Sequence, residues 1–170
     1  MIARRGLRMR TVFLATLVGL LATAFATAPA AQAGHYRLPI EGLVDDADAK
    51  ALAKAGVTTT LALLSEVSTG AKRQKLAQKS GLTIGRVTAL AAQVDLLRID
   101  GLGPSMVRLL QGAGIRHSKD LAAAASGALR VKLEAVNGVQ HIAGAVPMAE
   151  VLDSWIGQAK RLPRAVDGLE

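Results

Sequence analysis

Residues 97–110 read LRIDGLGPSMVRLL and place two glycines and a proline between two apolar segments. Gly101 and Gly103 allow a tight reversal of the chain, because glycine adopts positive φ and lets backbone segments approach closely. Leu102, between them, is expected to point into the core. Pro104 suits the first position of a following helix, where its missing N–H costs nothing. The segment therefore predicts a helix that ends, a tight turn, and a second helix that begins at once.

This order of elements resembles the helix-hairpin-helix motif. Free N–H groups at the start of the second helix would form a site that suits a phosphate. Helix-hairpin-helix domains commonly bind nucleic acid backbones without reading the base sequence, so the resemblance implies duplex DNA or another polyanion as partner. Carried over residue by residue, it implies a phosphate-binding hairpin made of Gly101, Leu102, Gly103, Ser105 and Arg108. The same hairpin also serves in protein–protein contacts, so a purely structural turn in a scaffolding domain stays an alternative.

A degenerate copy of the same pattern occurs earlier in the chain. Residues 40–43 read Ile-Glu-Gly-Leu, residues 99–102 read Ile-Asp-Gly-Leu, and the similarity continues downstream with a shift of one residue. In the first copy the second glycine is replaced by Val44, and the helix start that follows is acidic. Carboxylates are favourable at a helix N-terminus but repel a phosphate there. We therefore interpret the first copy as structural and the pair as a tandem repeat within one domain.

The rest of the chain predicts helices with apolar residues on one face and no alternating strand pattern. Thr83 is a suitable N-cap, and Pro147 opens a closing helix that carries Trp155. The expected helices cover residues 46–55, 60–66, 71–79, 84–97, 104–111, 118–125, 129–136 and 147–162. The predicted fold is therefore all-α: one compact helical domain over residues 40–162, with a lead-in at 34–39 and a C-terminal tail at 163–170.

Four further segments resemble the family described as domain of unknown function 4332. These are the Ile-Glu-Gly opening at residue 40, residues 76–82, residues 95–99, and the closing segment WIGQAK at 155–160. The resemblance covers residues 40–162. It implies an architecture and no activity.

The first 33 residues have the organisation of a secretory signal peptide. Arg4, Arg5, Arg8 and Arg10 precede an uncharged apolar run over residues 11–28, and Ala31-Gln32-Ala33 forms a small-residue cleavage site. We expect cleavage after Ala33 and export to the periplasm or the extracellular space, with no membrane partner after cleavage. An uncleaved membrane anchor is the alternative, since the run is nearly long enough to span a bilayer. The chain has no cysteine, so it forms no disulfide in an oxidising compartment.

The charge of the chain lies partly in this leader. Four of the 21 basic residues belong to it, so the formal net charge falls from +8 for the whole chain to +4 for residues 34–170. The densest remaining basic stretch has no acid between Val67 and Val94. We predict a basic patch that adds salt-sensitive affinity for polyanions, and it consists of Lys72, Arg73, Lys75, Lys79 and Arg86. The alternative is a solvated helix face.

Nothing in the sequence indicates catalysis. The three histidines, His35, His117 and His141, stand apart from one another and lack the spacing of metal ligands. We therefore expect no enzyme activity, no cofactor and no metal. The predicted function is an exported, non-enzymatic binding module for duplex DNA or another polyanion. The alternative is a protein-interaction or scaffolding domain, whose partner would be another envelope protein.

Overall fold

The computed structural model describes residues 35–169. Over that range the chain forms α-helices and two isolated β-bridges, with no β-strand, so the all-α prediction is confirmed. The predicted signal peptide at 1–33 lies outside the described residues. The helices are α1 (Asp46–Lys54), α2 (Thr60–Val67), α3 (Gly70–Ser80), α4 (Ile84–Leu96), α5 (Pro104–Gly112), α6 (Ser118–Ala122), α7 (Ser126–Gln140) and α8 (Ala149–Arg161).

Threonines determine where three of these helices begin. Thr59, Thr69 and Thr83 have extended backbones, and the hydroxyl oxygen of each accepts an N–H from the first turn of α2, α3 or α4. Such a cap satisfies one of the four N–H groups that a helix start leaves without a partner. The N-cap role predicted for Thr83 is confirmed.

Two halves of the described chain share one packing order. In the first half, residues 40–97, α1 packs on α3 and α2 packs on α4. In the second half, residues 99–162, α5 packs on α7 and α6 packs on α8. The last two helices of each half also pack on each other, and α4 contacts α6 across the halves. Buried side chains from both halves form one hydrophobic cluster.

Helices α4 and α8 bury the same face. Each has 13 residues, and in each the fourth, seventh, eighth and eleventh residues are buried. In α8 these positions hold Leu152, Trp155, Ile156 and Ala159. This spacing follows the helical period and forms an apolar stripe toward the core. Trp155 is 6% exposed and therefore belongs to the core.

The turns that open the two halves make the same hydrogen bond. The N–H of Leu43 donates to the Ile40 carbonyl at 3.0 Å, and the N–H of Leu102 donates to the Ile99 carbonyl at 3.1 Å. The glycines of both turns have positive φ, +75° at Gly42 and +78° at Gly101. Only glycine adopts this conformation without steric cost.

The one-residue shift between the halves lies in these turns. In the second half Gly103, the N-cap of α5, directly follows Leu102. In the first half Val44 stands between Leu43 and the N-cap Asp45. Val44 is buried, and its N–H and carbonyl both bond to Ile40 at 2.9 Å. The extra residue therefore packs in the core at the first turn, whereas the second turn leads directly into α5.

The segment after α8, predicted as a tail, packs against the first half. Val166 is buried, and the N–H of Asp167 donates to the Ser68 carbonyl at 2.8 Å. Residues 166–169 read Val-Asp-Gly-Leu, a third occurrence of the apolar-acid-Gly-Leu pattern. Gly168 also has a positive φ of +63°. This third copy is not among the repeats predicted from the sequence, although its four residues follow the same pattern.

Between residues 35 and 169, no helix combines the length and the apolar character needed to cross a bilayer.

Candidate functional site

The predicted phosphate-binding hairpin lies between α4 and α5. Gly101 and Ser105 are exposed at its surface, whereas Leu102 is buried, as its expected core role requires. On one side the turn is tied to α8 by an amide bridge. Asp100 donates its N–H to Gln158 Oε1 at 2.9 Å, and its carbonyl accepts from Gln158 Nε2 at 3.4 Å. The hairpin is therefore held by tertiary contacts as well as by its own glycines.

Two aromatic side chains flank the hairpin glycines. A Cβ atom added to Gly101 would lie 3.5 Å from Trp155 Nε1, and one added to Gly103 would lie 4.0 Å from the Tyr36 hydroxyl. Helix α8 and the lead-in segment therefore border this turn. The exposed surface that remains includes Gly101 itself and Ser105 in the first turn of α5.

The N-terminus of α5 differs chemically from its counterpart in the first half. Gly103 and Asp45 hold nearly the same N-cap conformation, with φ and ψ of −83° and 173° against −75° and 174°. Asp45 Oδ1 accepts the N–H of Asp48 at 2.7 Å, so α1 begins with a charged cap. Gly103 makes no side-chain cap. The partial positive charge at the start of α5 is therefore not offset by a carboxylate at the N-cap.

Arg108 of α5 reaches the first turn. This residue is exposed, and its side chain lies over Gly42: a Cβ added to Gly42 would lie 2.6 Å from Arg108 Cδ and 2.7 Å from a terminal guanidinium nitrogen. An exposed arginine can move away from such a Cβ, so the positive φ of +75° is what requires glycine at position 42. The guanidinium of Arg108 therefore lies beside the first turn.

The five residues of the predicted basic patch do not share one exposed face. Arg73 is buried and donates to three backbone carbonyls, those of Val67 at 3.1 Å, Asp167 at 2.8 Å and Gly168 at 3.2 Å. Its charge holds the segment after α8 against α3. This inward arginine is a structural residue, because a buried guanidinium must have its donors paired.

Arg86 is likewise engaged within the fold. Its Nε donates to Asp48 Oδ2 at 2.7 Å, and one terminal nitrogen donates to the Leu43 carbonyl at 2.7 Å. Asp48 is itself buried in α1. The pair links α4 to the first hairpin, so Arg86 is also removed from the predicted polyanion surface.

The other three residues of the patch lie on the exposed face of α3. Lys72, Lys75 and Lys79 are all exposed, and Lys72 Nζ donates to the Ser65 carbonyl at 2.8 Å. Helix α3 packs on α1, α2 and α4, whereas α5 packs on α7. The lysines and the second hairpin thus belong to different helix pairs. We call this reduced set, Lys72, Lys75 and Lys79, the α3 lysine face.

A cavity of about 330 Å³, which the sequence did not predict, lies between α6, α8 and the segment after α8. Asp95, His117 and Ser118 are among its lining residues. His117 is buried and caps α6, because its Nδ1 accepts the N–H of Asp120 at 3.3 Å. No pattern in the sequence indicates this cavity, because its walls come from three distant parts of the chain.

The described region contains no group of three or more histidine, aspartate or glutamate side chains that could hold a metal ion.

Comparison with known proteins gives one match. The model of the family described as Domain of unknown function (DUF4332) matches residues 43–162. No curated protein and no solved structure matches the chain. The matched span begins within the first turn and ends just after α8.

Proposed function

This protein belongs to the DUF4332 family, and we propose that it is a non-enzymatic binding module for duplex DNA or another polyanion. The binding surface is the start of α5 in a helix-hairpin-helix turn. One observation carries the proposal: α5 begins at Gly103 without a side-chain cap, beside the exposed Ser105. Unpaired backbone N–H groups and the helix dipole together suit a phosphate.

The contrast between the two turns supports this choice of surface. The first turn is followed by Asp45 and Asp46, both exposed, and a phosphate is repelled there. The second turn has no acid among residues 101–108. Arg108 follows in α5 with its guanidinium beside Gly42 of the first turn, so contact with a phosphate at the second turn requires a change of its rotamer. A tandem repeat with one structural copy and one binding copy explains why the two helix starts differ while their backbones agree.

The α3 lysine face is a secondary contact in this proposal. Exposed lysines contribute sequence-independent affinity, since neutralised phosphates release counterions into solution. Arg73 and Arg86 have no part in the proposed surface, because Arg73 is buried and Arg86 is paired with Asp48.

The sharpest test changes the N-cap of α5. Gly103→Asp should copy the cap that Asp45 provides in the first half and place a carboxylate where the phosphate would bind. We expect at least ~10-fold weaker binding to a mixed-sequence 20-base-pair duplex, equivalent to about 1.4 kcal/mol, with no loss of thermal stability. Fluorescence anisotropy of a labelled duplex measures the affinity.

Gly103→Ser is the matched control, because serine caps the helix without charge. It should bind more tightly than the aspartate variant. If the unchanged protein fails to bind the duplex at low salt, or if both variants bind as the unchanged protein does, the proposal is wrong.

Salt dependence gives a second test. Arg108→Gln should reduce the slope of log K against log salt by about one if Arg108 contacts a phosphate. Lys132→Gln, on the exposed face of α7, removes the same charge away from the hairpin and should leave the slope unchanged. Equal slopes for the two variants would remove Arg108 from the surface.

A second candidate function, protein interaction, is favoured by the outer face of α7. Val131 is 66% exposed and Val139 is 81% exposed, two turns apart on this helix. If Val131→Glu and Val139→Glu abolish crosslinking to envelope proteins and leave duplex binding unchanged, the result favours a scaffolding domain. In that case the second hairpin is only a tight turn.

The proposed site of action is the periplasm or the extracellular space. It depends on the charge pattern and cleavage motif of residues 1–33. Mass spectrometry of the protein from the exported fraction should find Gly34 as the first residue. Intact Met1 in that fraction would favour the uncleaved anchor.

A further inference from the structure

We propose that the cavity between α6, α8 and the segment after α8 binds a small amphiphilic carboxylate. The site is separate from the start of α5, so this inference does not depend on the polyanion proposal. Its volume of about 330 Å³ lies within the range of small-molecule pockets. Its apolar walls, one exposed lysine and one buried histidine support this proposal.

The walls are apolar along most of the cavity. They come from α6, from α8 and from the segment that follows α8, and they consist of Ala122, Ala159, Leu162, Ala165, Val166 and Leu169. Two of these, Ala159 and Val166, are buried in the fold. Such walls suit a hydrocarbon chain, which gains free energy by leaving water.

His117 lines the cavity and has an unsatisfied buried donor. Its residue is 5% exposed, and Nδ1 accepts a backbone N–H, so in the neutral ring Nε2 carries the proton. Among the described residues, Nε2 has no hydrogen-bond partner, and Asp120 Oδ1 lies 3.7 Å away. A buried donor without an acceptor is costly. In the proposed complex the ring moves, and a ligand oxygen accepts from Nε2, which is otherwise buried.

The charge of the lining favours an anion. Asp95 is the acid of the lining, and it is already neutralised: Oδ1 accepts from Arg98 at 2.7 Å, and Oδ2 accepts from the backbone N–H and the hydroxyl of Ser118. The lining also includes three basic residues, of which Arg164 is paired with Asp167 at 3.2 Å. The preference for an anion depends on Lys160, which is exposed on the last turn of α8 and is the proposed partner of the carboxylate together with His117.

The segment after α8 closes the cavity because Arg73 holds it. The guanidinium donates to the carbonyls of Asp167 and Gly168, which lie between the wall residues Val166 and Leu169. One wall of the cavity is therefore anchored to α3, in the other half of the molecule. A ligand in the cavity would contact this segment directly and should protect its backbone amides from exchange.

Octanoate is the probe, and isothermal titration calorimetry measures its binding to the folded protein. We expect saturable binding at submillimolar concentration, at least ~10-fold tighter than that of octanol or acetate, a difference of about 1.4 kcal/mol. Octanol lacks the charge, and acetate lacks the chain. If octanoate does not saturate, the proposal is wrong. If octanol binds as tightly, the carboxylate part is wrong, and if acetate does, the hydrocarbon part is wrong.

Three variants locate the binding. Ala122→Leu should fill the cavity and abolish binding, Lys160→Gln should weaken it several-fold, and Lys132→Gln on α7 should leave it unchanged. His117→Asn keeps a favourable N-cap for α6 while removing Nε2, and it should weaken octanoate binding without lowering the melting temperature. In the unchanged protein, octanoate should shift the ¹⁵N resonance of His117 Nε2. Binding that survives both Ala122→Leu and Lys160→Gln overturns the site.

Discussion

The two halves of this molecule share a backbone plan and differ in what they present at the surface. Both open with a glycine turn closed by the same hydrogen bond, and both end in a 13-residue helix buried at the same four positions. Yet α1 begins at the charged cap Asp45 and α5 at the bare Gly103. Turn geometry and buried positions are thus enough to maintain the arrangement, and the remaining positions are free to acquire different chemistry.

The third helices of the two halves, α3 and α7, also differ in their exposed side chains. The α3 lysine face lies on the outer side of α3, whereas Val131 and Val139 are exposed on the outer side of α7. Both helices pack on the first and last helices of their own half. Their inner faces are constrained by packing and their outer faces are not, so a basic surface and an apolar surface occupy equivalent places.

The largest effect should come from equivalent core positions. Leu52→Ala in α1 and Leu110→Ala in α5 each remove a side chain that is at most 1% exposed. We expect each to lower the free energy of unfolding by about 2–5 kcal/mol, because a cavity is left in a close-packed core. Since both leucines belong to one cluster, urea denaturation should show one shifted transition in each variant. Two separate transitions would mean that the halves unfold independently, and Leu61→Ala, at a 55% exposed position, is the control.

The next largest effect on the free energy of unfolding should distinguish Arg73 from Lys75, two residues of α3. Arg73→Met removes the donors that three buried or half-buried carbonyls accept. We expect a loss of about 2–3 kcal/mol in unfolding free energy, since hydrogen bonds from charged groups are worth more than neutral ones. Lys75→Met, at an exposed position, should stay within about 0.5 kcal/mol. Hydrogen exchange should also become faster in residues 165–169 of the first variant alone, and equal stability of the two variants would contradict the anchoring role.

The amide bridge to the second hairpin should have an intermediate effect. Gln158→Ala removes both hydrogen bonds to Asp100 and should lower the free energy of unfolding by about 1–2 kcal/mol. Exchange of the Asp100 amide should accelerate more than exchange in the first turn. Gln74→Ala, at an exposed position of α3, is the matched control. A variant as stable as the unchanged protein would show that the hairpin is held by its glycines alone.

The smallest effect should come from exchanging the caps of the two halves. Asp45→Gly should lose a few tenths of a kcal/mol and Gly103→Asp should gain a similar amount, because the two positions have nearly the same backbone conformation. Chemical denaturation of both variants and of the double exchange measures this. If Gly103→Asp destabilises the protein, the two helix starts are not equivalent.

Local patterns predicted most of the secondary structure, but the bounds of the last three helices differ from the prediction by up to four residues. Pro104 marks the start of α5 as expected, whereas α8 begins at Ala149, two residues after Pro147. Helix α6 ends at Ala122, although an alanine-rich run continues to Ala125. Helix α7 (Ser126–Gln140) begins three residues earlier and ends four residues later than predicted, with Leu129 and Leu133 in the core. Packing of these leucines outweighs the intrinsic preference of alanine for a helix.

The candidate site was predictable only in part. Gly101, Leu102 and Gly103 form the turn expected from their sequence, because glycine conformations and a central leucine depend on local geometry. The basic patch was not predictable in the same way. Arg73 and Arg86 have long side chains that can reach inward or outward, and only the positions of the Val67, Asp167 and Leu43 carbonyls decide which.

The sequence by itself determined that residues 35–169 form helices joined by glycine turns, since helical periodicity, caps and positive φ are local properties. It also determined that the start of α5 lacks the charged cap of α1. Only the tertiary structure decided which basic residues are exposed, that Val166 joins the core, and that His117 and Asp95 line a common cavity. Those outcomes depend on contacts between segments that lie tens of residues apart in the sequence. A local sequence pattern does not determine which of these segments a side chain contacts.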